Sequence, residues 1–231
     1  MSPDSFYGNV PRHLVAVDCI IFGFEDGKLK LLIIKRKVDP MEGAWSLVGG
    51  FVQEGESTDN AAIRVLRQTT GIQDIYMDQL QSYGDTDRDT GARVISIAYY
   101  ALIRISEHDR LLANAHGAHW LSLHQIPELI FDHNKMLSDA LTRLRDQAHF
   151  HPIGFELLPE KFTLPQLRNL YEEIYQRPLD KRNFRKKILA MDILEKLEEK
   201  DKSSSKKGAH LYRFDRLKYD ALTQHGLVFE I

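Results

Sequence analysis

The first 150 residues contain long runs of β-branched and aromatic residues separated by short polar turns. Residues 14–24 and 29–37 form two such runs on either side of the turn at 25–27, and residues 94–105 form another. Runs of this composition predict strands, and a Glu-Asp-Gly turn between two of them predicts a β-hairpin. We therefore expect the first half of the chain to be built around a sheet.

Two segments of the same half repeat their apolar residues at helical spacing. The first runs from about Ser57 to Thr70. Ser57 suits the N-cap position, and Gly71 suits the left-handed residue that follows a helix. The second segment runs from about Asn134 to Gln147. Helices and strands mixed in this order predict an α/β (α+β) domain.

Helical periodicity dominates the second half of the chain up to a polar stretch at 198–208. Thr163 can cap a helix that runs to about Tyr175. The sequence Arg-Pro-Leu at 177–179 ends this helix, because the residue before a proline disfavours the helical conformation. Asp180 can then cap a second, strongly basic helix. The pattern predicts two helices joined by a short turn.

A β-hairpin is predicted after the second helix. Residues 194–215 contain a segment that fits a helix end or a strand, then a polar tip, then a returning strand at 210–214. Helix, short turn, basic helix and hairpin is the order of a winged helix-turn-helix. Two prolines within 149–159 favour a boundary there, so we predict a first domain over 1–152 and a winged-helix domain over 153–231.

Composition and charge narrow the class of protein. The 231 residues carry a net charge of -2, but residues 1–154 hold 15 Lys and Arg against 20 Asp and Glu, whereas residues 155–231 hold 16 against 13. The positive half weakly favours a polyanionic partner. The only cysteine is Cys19, the first residues do not resemble a signal peptide, and no apolar run approaches the roughly 18 residues of a membrane helix. We expect a cytoplasmic protein with no membrane segment.

The second predicted helix has the charge expected of a DNA-reading element. Residues 177–187 hold six basic side chains and one acidic one. With Phe184, Ile188 and Leu189 turned inward, the basic side chains project outward, as a helix in the major groove requires. A basic helix alone is more often an ordinary surface helix, but the flanking helix and hairpin favour DNA. The predicted DNA contacts are Lys181, Arg182, Asn183, Arg185, Lys186 and, in the hairpin, Lys206, Lys207 and His210.

The segment 43–72 carries a known enzymatic signature, G-x5-E-x7-R-E-U-x-E-E-x-G-U, where U is aliphatic. The positions that match are Gly50, Glu56, Arg64, Leu66, Gly71 and Ile72. On these residues the segment resembles the Nudix hydrolase box. The resemblance implies a Nudix-like α/β/α sandwich with a mixed sheet.

Three carboxylates of that signature are missing. In the family, glutamates after the arginine share one face of a helix and hold Mg²⁺, but this chain has Val65, Gln68 and Thr69 at those positions. Mg²⁺ prefers anionic oxygen ligands, and pyrophosphate hydrolysis without it loses charge neutralisation and an activated water. We therefore expect no metal site, no cofactor, no catalytic residues and little or no hydrolase activity.

A ligand pocket does not require the catalytic metal. Trp45 and Phe51 offer apolar faces to a sugar or a base, and residues 82–102 resemble the stretch of ADP-ribose-type Nudix domains that meets the ligand. The predicted ligand-binding residues are Trp45, Phe51, Glu56, Asp85, Arg88 and Arg93. Two structural alternatives stay open: a Glu56–Arg64 pair that braces a loop, and a polar loop at 85–91 with no ligand.

Residues 155–189 and 210–215 resemble the winged-helix half of the Nudix-related transcriptional regulators, the NrtR family. The resemblance implies a homodimer that binds a palindromic operator in double-stranded DNA and is controlled by a small molecule. Some members respond to ADP-ribose, and one branch responds to L-arabinose. General similarity favours the arabinose branch, and hence control of arabinose-utilisation genes, with regulation of NAD metabolism through ADP-ribose as the alternative.

Two other functions remain open at this point. The chain could be a working Nudix hydrolase that holds its metal through other acids, such as Glu54, Glu56 or Asp59. The C-terminal half could instead be a protein-interaction module with no role on DNA. The missing carboxylates argue against the first alternative, and the winged-helix pattern argues against the second.

Overall fold

The protein is described by a computed structural model for residues 8–202, 208–225 and 229–230. Its first half contains seven strands, β1 (Leu14–Glu25), β2 (Lys28–Lys35), β3 (Trp45–Ser46), β4 (Val48–Phe51), β5 (Asp78–Tyr83), β6 (Val94–Arg104) and β7 (Ala118–Ser122). Its helices are α1 (Thr58–Thr70), α2 (Glu107–His116) and α3 (His133–Phe150).

The seven strands form one mixed sheet. Strands β3, β2, β1, β6 and β5 are neighbours in that order, while β4 also pairs with β1 and β7 with β2. Only β1 and β6 are parallel, with partners running from Leu14 and Val94 to Phe24 and Arg104. The predicted hairpin is confirmed, because Glu25 pairs with Lys28 across the turn.

Helices cover both faces of this sheet. Alternate residues of β1 point to opposite sides: Cys19 and Ile21 pack in one cluster with α1 and α2, and Ile20 and Phe22 pack in another with α3. A strand that is buried on both faces needs an almost continuous apolar sequence, which explains the run at 14–24. The α/β/α sandwich with a mixed sheet is confirmed.

Local capping signals set the bounds of the helices. At the start of α1 the Ser57 hydroxyl accepts a hydrogen bond from the Asn60 N–H at 3.2 Å, and the helix ends at Gly71, whose φ is 76°. Helix α2 was not predicted, although Ser106 and Asp109 form a capping box at its start. This capping box was the available signal for the helix. The strands β3, β4, β5 and β7 were not predicted as separate elements either.

The C-terminal part has the predicted winged-helix order. Its elements are β8 (Phe162–Thr163), α4 (Leu164–Tyr175), α5 (Lys181–Ala190), β9 (Leu194–Asp201), β10 (Ala209–Phe214) and α6 (Arg216–Gln224). Strand β10 lies between β8 and β9 and is antiparallel to both. The segment that fitted a helix end or a strand is therefore strand β9. Helix α6 was not predicted.

One hydrophobic core joins the two parts. Phe24 and Leu29 of the sheet belong to the same buried cluster as Leu167 and Tyr171 of α4. The predicted boundary between residues 152 and 153 lies in the connection that leads from α3 to β8. Among the described residues, no helix has the length and apolar character needed to cross a bilayer.

Candidate functional site

A cavity of about 600 Å³ opens beside the β1–β4 pair of the sheet. Asp18 of β1 lies opposite Gly49 of β4, and Val17 lies opposite Gly50. Any side chain at position 49 would overlap the Asp18 carboxylate, and one at position 50 would overlap Val65 of α1. The two glycines therefore allow an acidic side chain and helix α1, which carries most of the Nudix box and is called the box helix below, to approach β4 closely.

A buried ionic network forms the floor of this cavity. The Arg88 guanidinium, whose side chain is 3% exposed, donates hydrogen bonds from Nε and Nη2 to the Asp132 carboxylate at 3.0 and 2.7 Å. Its Nη2 also lies 3.7 Å from Asp18 Oδ2, which accepts a hydrogen bond from Ser96 Oγ at 2.5 Å. Buried charges of opposite sign satisfy each other here, so the floor is rigid and fixed in charge.

His133 completes the floor. Its Nδ1 accepts a hydrogen bond from the Leu47 main-chain N–H at 3.2 Å, and its Nε2 lies 3.5 Å from Asp18 Oδ1. Burial lowers the pKa of His133 below its ordinary value of 6.5, despite the opposing effect of Asp18. A neutral ring that accepts at Nδ1 carries its proton on Nε2, where it faces the carboxylate.

The mouth of the cavity is basic. Lys35, Arg36 and Lys37, at the end of β2 and just after it, all line it. The Arg36 guanidinium lies 5.4 Å from the ring centre of Phe131, and its Nε donates to the Val38 carbonyl at 2.9 Å. Arg88 is paired with Asp132 and Asp18 below, so these three cations, which outnumber Asp89, make the mouth positive, which suits an anionic ligand.

The box helix contributes to the wall without a cluster of acids. Val65 is buried against Gly50, and Gln68 and Thr69 line the cavity. The Gln68 side-chain oxygen accepts a hydrogen bond from Arg64 Nη1 at 3.2 Å. Within the described ranges, no group of three or more His, Cys, Asp or Glu side chains is placed to hold a metal ion.

Glu56 and Arg64 form a brace between a loop and the box helix. Arg64 donates to the Glu56 carboxylate from Nε and Nη2 at 2.9 and 2.6 Å, and to the Phe51 carbonyl at 2.9 Å. The Glu56 carboxylate also accepts the Gln53 main-chain N–H at 2.7 Å. Hydrogen bonds from Arg64 lower the pKa of Glu56. These contacts correspond to the structural alternative for this pair.

The predicted ligand-binding residues divide between the cavity and its surroundings. Phe51 and Arg88 line it. The other four, Trp45, Glu56, Asp85 and Arg93, lie outside its lining. The Trp45 ring packs against His119 at 5.5 Å, and Arg93 donates to the Asp85 carbonyl at 3.2 Å within the loop.

Sequence reasoning predicted Arg88 but missed the other residues of the cavity floor, Asp18, Asp132 and His133. Asp18 is a charged residue inside an otherwise apolar strand, which is an available signal because such residues are rarely buried without a partner. Asp132 and His133 lie in the short Phe-Asp-His sequence at 131–133, just before and at the start of α3. The partners of these side chains come from distant parts of the chain.

A second candidate site is the exposed face of α5. Phe184 and Ile188 are buried, whereas the predicted DNA contacts on this helix are exposed. These contacts are Lys181, Arg182, Asn183, Arg185 and Lys186. Asp180 caps the helix by accepting the Asn183 main-chain N–H at 2.8 Å. His210 lies in β10, while Lys206 and Lys207 fall outside the described residues.

Two family models match the chain. The NUDIX domain matches residues 12–140, and the NrtR DNA-binding winged helix domain matches residues 154–214. Together the two models cover both candidate sites.

The chain is also similar to individual proteins and to a solved structure. The chain is 32% identical over 214 residues to an ADPR responsive transcriptional repressor of Acinetobacter baylyi, which covers 91% of this chain and 85% of that protein. It is 36% identical over 127 residues to an ADP-ribose pyrophosphatase of Methanocaldococcus jannaschii. That alignment covers 55% of this chain and 72% of the pyrophosphatase. The crystal structure of Shewanella oneidensis NrtR complexed with a 27mer DNA has a TM-score of 0.70 at 29% identity, covering 89% of this chain and 95% of that one.

The order of the two matched domains, the exposed basic helix and the similarity along almost the whole repressor agree. The chain therefore belongs to the NrtR-type transcriptional regulators, ligand-responsive DNA-binding proteins in which a Nudix domain precedes a winged helix.

Proposed function

We propose that this chain is a transcriptional repressor whose Nudix domain binds ADP-ribose and whose winged helix binds operator DNA. The observation that carries the proposal is the basic mouth formed by Lys35, Arg36 and Lys37 above a floor in which Arg88 pairs with Asp132 and Asp18. ADP-ribose carries a diphosphate, which needs cations, and apolar surface for its base, which Phe51 and Phe131 offer. A volume of about 600 Å³ is within the usual range for such ligands.

L-arabinose is the second candidate ligand. A free pentose has no charge and binds through hydroxyl groups, so it would use Asp18 and Asp89 in the lining but not the three cations. The two relatives of known function are named for ADP-ribose, and neither supports the arabinose interpretation. ADP-ribose is therefore the preferred effector, and regulation of NAD metabolism becomes the preferred role.

We further propose that the Nudix domain has lost its hydrolase activity. The positions of three box glutamates hold Val65, Gln68 and Thr69, none of which offers an anionic oxygen to a metal ion. The test is turnover of ADP-ribose with Mg²⁺. Rates on the order of 1 per second or more would make the chain an enzyme and contradict this part of the proposal.

The regulator is proposed to act as a homodimer on a palindromic operator. Two identical winged helices related by a two-fold axis would read two half-sites of the same sequence. Because a repressor must reach the chromosome, we also propose a cytoplasmic location. Light scattering of the free protein and of its complex with DNA measures the subunit number, and a monomer in both would contradict the dimer.

Two measurements test the proposed function. Operator binding is measured by fluorescence anisotropy with DNA from upstream of the protein's own gene, where we expect sequence preference and a steep loss of affinity with salt. Ligand binding is measured by the rise in unfolding midpoint with ADP-ribose or L-arabinose. A rise with arabinose alone would reverse the effector assignment. Absence of DNA binding would favour the protein-interaction module.

The basic mouth gives a sharper test of the ligand. Arg36→Ala removes a cavity cation, whereas Arg67→Ala removes an exposed cation on α1 that does not line the cavity. We expect Arg36→Ala to weaken ADP-ribose binding by about 1.5–3 kcal/mol, the range for a charge-assisted hydrogen bond, and Arg67→Ala to leave it unchanged. Equal affinities of the two variants for ADP-ribose would contradict the proposal that the diphosphate binds at this mouth.

A further inference from the structure

A second cleft, of about 430 Å³, lies between α4, α5 and the hairpin strand β10. Its lining includes three cationic side chains, Arg168, Lys181 and Arg185, each from the helix-turn-helix. Phe184 and Tyr212, both buried, form part of its wall. Of the described residues that line the cleft, none carries a carboxylate. Apolar walls and charge of a single sign strengthen the attraction for an anion.

Two buried polar atoms in this part of the winged helix make no hydrogen bond. Arg168 Nε on α4 is buried and makes no hydrogen bond, and its nearest acidic atom is Glu172 Oε1 at 3.4 Å. His210 Nδ1 on β10 is also buried without a hydrogen-bond partner. Buried polar atoms are nearly always hydrogen-bonded in folded proteins, so the unpartnered His210 Nδ1, beside an arginine whose Nε is held only by an ion pair, favours a ligand in this cleft.

Arg168 is held in place from behind. The Glu172 carboxylate that pairs with it also accepts the Leu179 main-chain N–H at 2.9 Å, which ties the pair to the turn before α5. A guanidinium held in this way loses little freedom when it binds, so it suits a fixed contact with a phosphate oxygen.

We propose that this cleft holds one phosphate of the DNA backbone in each half-site, with Arg168 as its principal ligand and Lys181 and His210 beside it. The inference rests on the proposed DNA-binding function. It separates two roles, because α5 would read base edges while the cleft fixes the position of the protein on the duplex. Arg168 was not among the predicted DNA contacts.

The test compares Arg168→Ala with Arg67→Ala, which makes the same change on an exposed position of α1 in the other domain. For Arg168→Ala we expect operator affinity to fall about tenfold and the salt slope to decrease by about 0.9 per phosphate, or about 1.8 for two half-sites. The preference for operator over scrambled DNA should stay the same, because a phosphate carries no sequence information. The Arg67→Ala variant should match the unmodified protein.

A chemical change in the DNA tests the same contact with the unmodified protein, whether or not the variant folds. Neutral methylphosphonates are placed one at a time along the operator. In the unmodified protein, the methylphosphonate at one position in each half-site should weaken binding. In Arg168→Lys, whose contact with that phosphate is already weaker, the same methylphosphonate should weaken binding less. Inorganic phosphate at millimolar concentration should not compete, which separates a DNA phosphate from a free anion.

Three results would overturn the proposal. One is an Arg168→Ala variant with the affinity and salt slope of Arg67→Ala. Another is a loss of sequence preference in Arg168→Ala, which would make Arg168 a base-reading residue. The third is competition by inorganic phosphate, which would make the cleft a free-anion site. If the unmodified protein binds no operator DNA, both the proposed function and the phosphate site are contradicted. If the unmodified protein binds and Arg168→Ala binds equally well, only the phosphate site is contradicted.

Discussion

The Glu173 carboxylate on α4 accepts a hydrogen bond from the Leu29 main-chain N–H at 2.9 Å and pairs with Lys28 Nζ at 2.8 Å. Beside it, Asn169 Nδ2 donates to the Gly27 carbonyl at 2.6 Å. The first helix of the winged domain is thus hydrogen-bonded to the β1–β2 hairpin. The same two strands carry Asp18 at the cavity floor and the cations at its mouth, so the hairpin physically joins the two candidate sites.

Glu173→Ala should uncouple ligand from DNA. Without these contacts a change at the cavity would no longer bias the winged helix through the hairpin, and we expect the coupling free energy to fall by about 1 kcal/mol while each ligand alone binds normally. Operator affinity with and without saturating ADP-ribose measures it. Asp220→Ala, which breaks a surface ion pair within α6, is the control. Unchanged coupling in Glu173→Ala would exclude the hairpin as the connection.

Arg88→Ala should destabilise the fold severely. The substitution leaves the Asp132 and Asp18 carboxylates buried beside each other without their cation, a situation that costs about 3–5 kcal/mol. Urea unfolding gives the free energy. Arg110→Ala removes a more exposed arginine from its pair with Glu25 and should cost at most about 1 kcal/mol. Similar losses in the two variants would show that the floor network contributes little.

His133 should make stability depend on pH in the mildly acidic range. Burial lowers its pKa in the folded state, so below its ordinary value of 6.5 the unfolded chain binds more protons than the folded one. Its contribution is present above pH 6.5 and is lost as the pH falls toward the folded pKa, with a slope of at most about 1.4 kcal/mol per pH unit. In His133→Asn this slope should disappear. The same substitution at His108, exposed on α2, should retain it.

Arg182→Ala and Arg185→Ala should weaken operator binding. A side chain that reads a base contributes about 1–3 kcal/mol and sets the preference at its position, so the preferred operator sequence should relax there. Selection of bound sequences from a randomised operator measures both effects. Binding that is indifferent to salt and to both substitutions would contradict the assignment of α5 as the recognition helix.

Short-range signals account for the elements that were predicted. Ser57 and Gly71 bound α1, Thr163 begins α4 and Asp180 begins α5, because each cap acts on backbone groups within four residues of itself. Helix α2 is short, and Ala113 is the one buried residue that the structure gives it, so its capping box at Ser106 and Asp109 was the signal that could have predicted it. The apolar run at 14–24 predicted strand β1. Its alternate residues pack in two different clusters because both faces of the strand are buried.

By itself the sequence determined the domain order, the box without its carboxylates and the basic recognition helix, since each is a pattern of neighbouring residues. Only the tertiary structure decided which side chains meet. It joined Arg88 to Asp132 and Asp18 to His133. Contacts between residues 40 to more than 100 positions apart depend on strand register and helix docking, which the whole core fixes together.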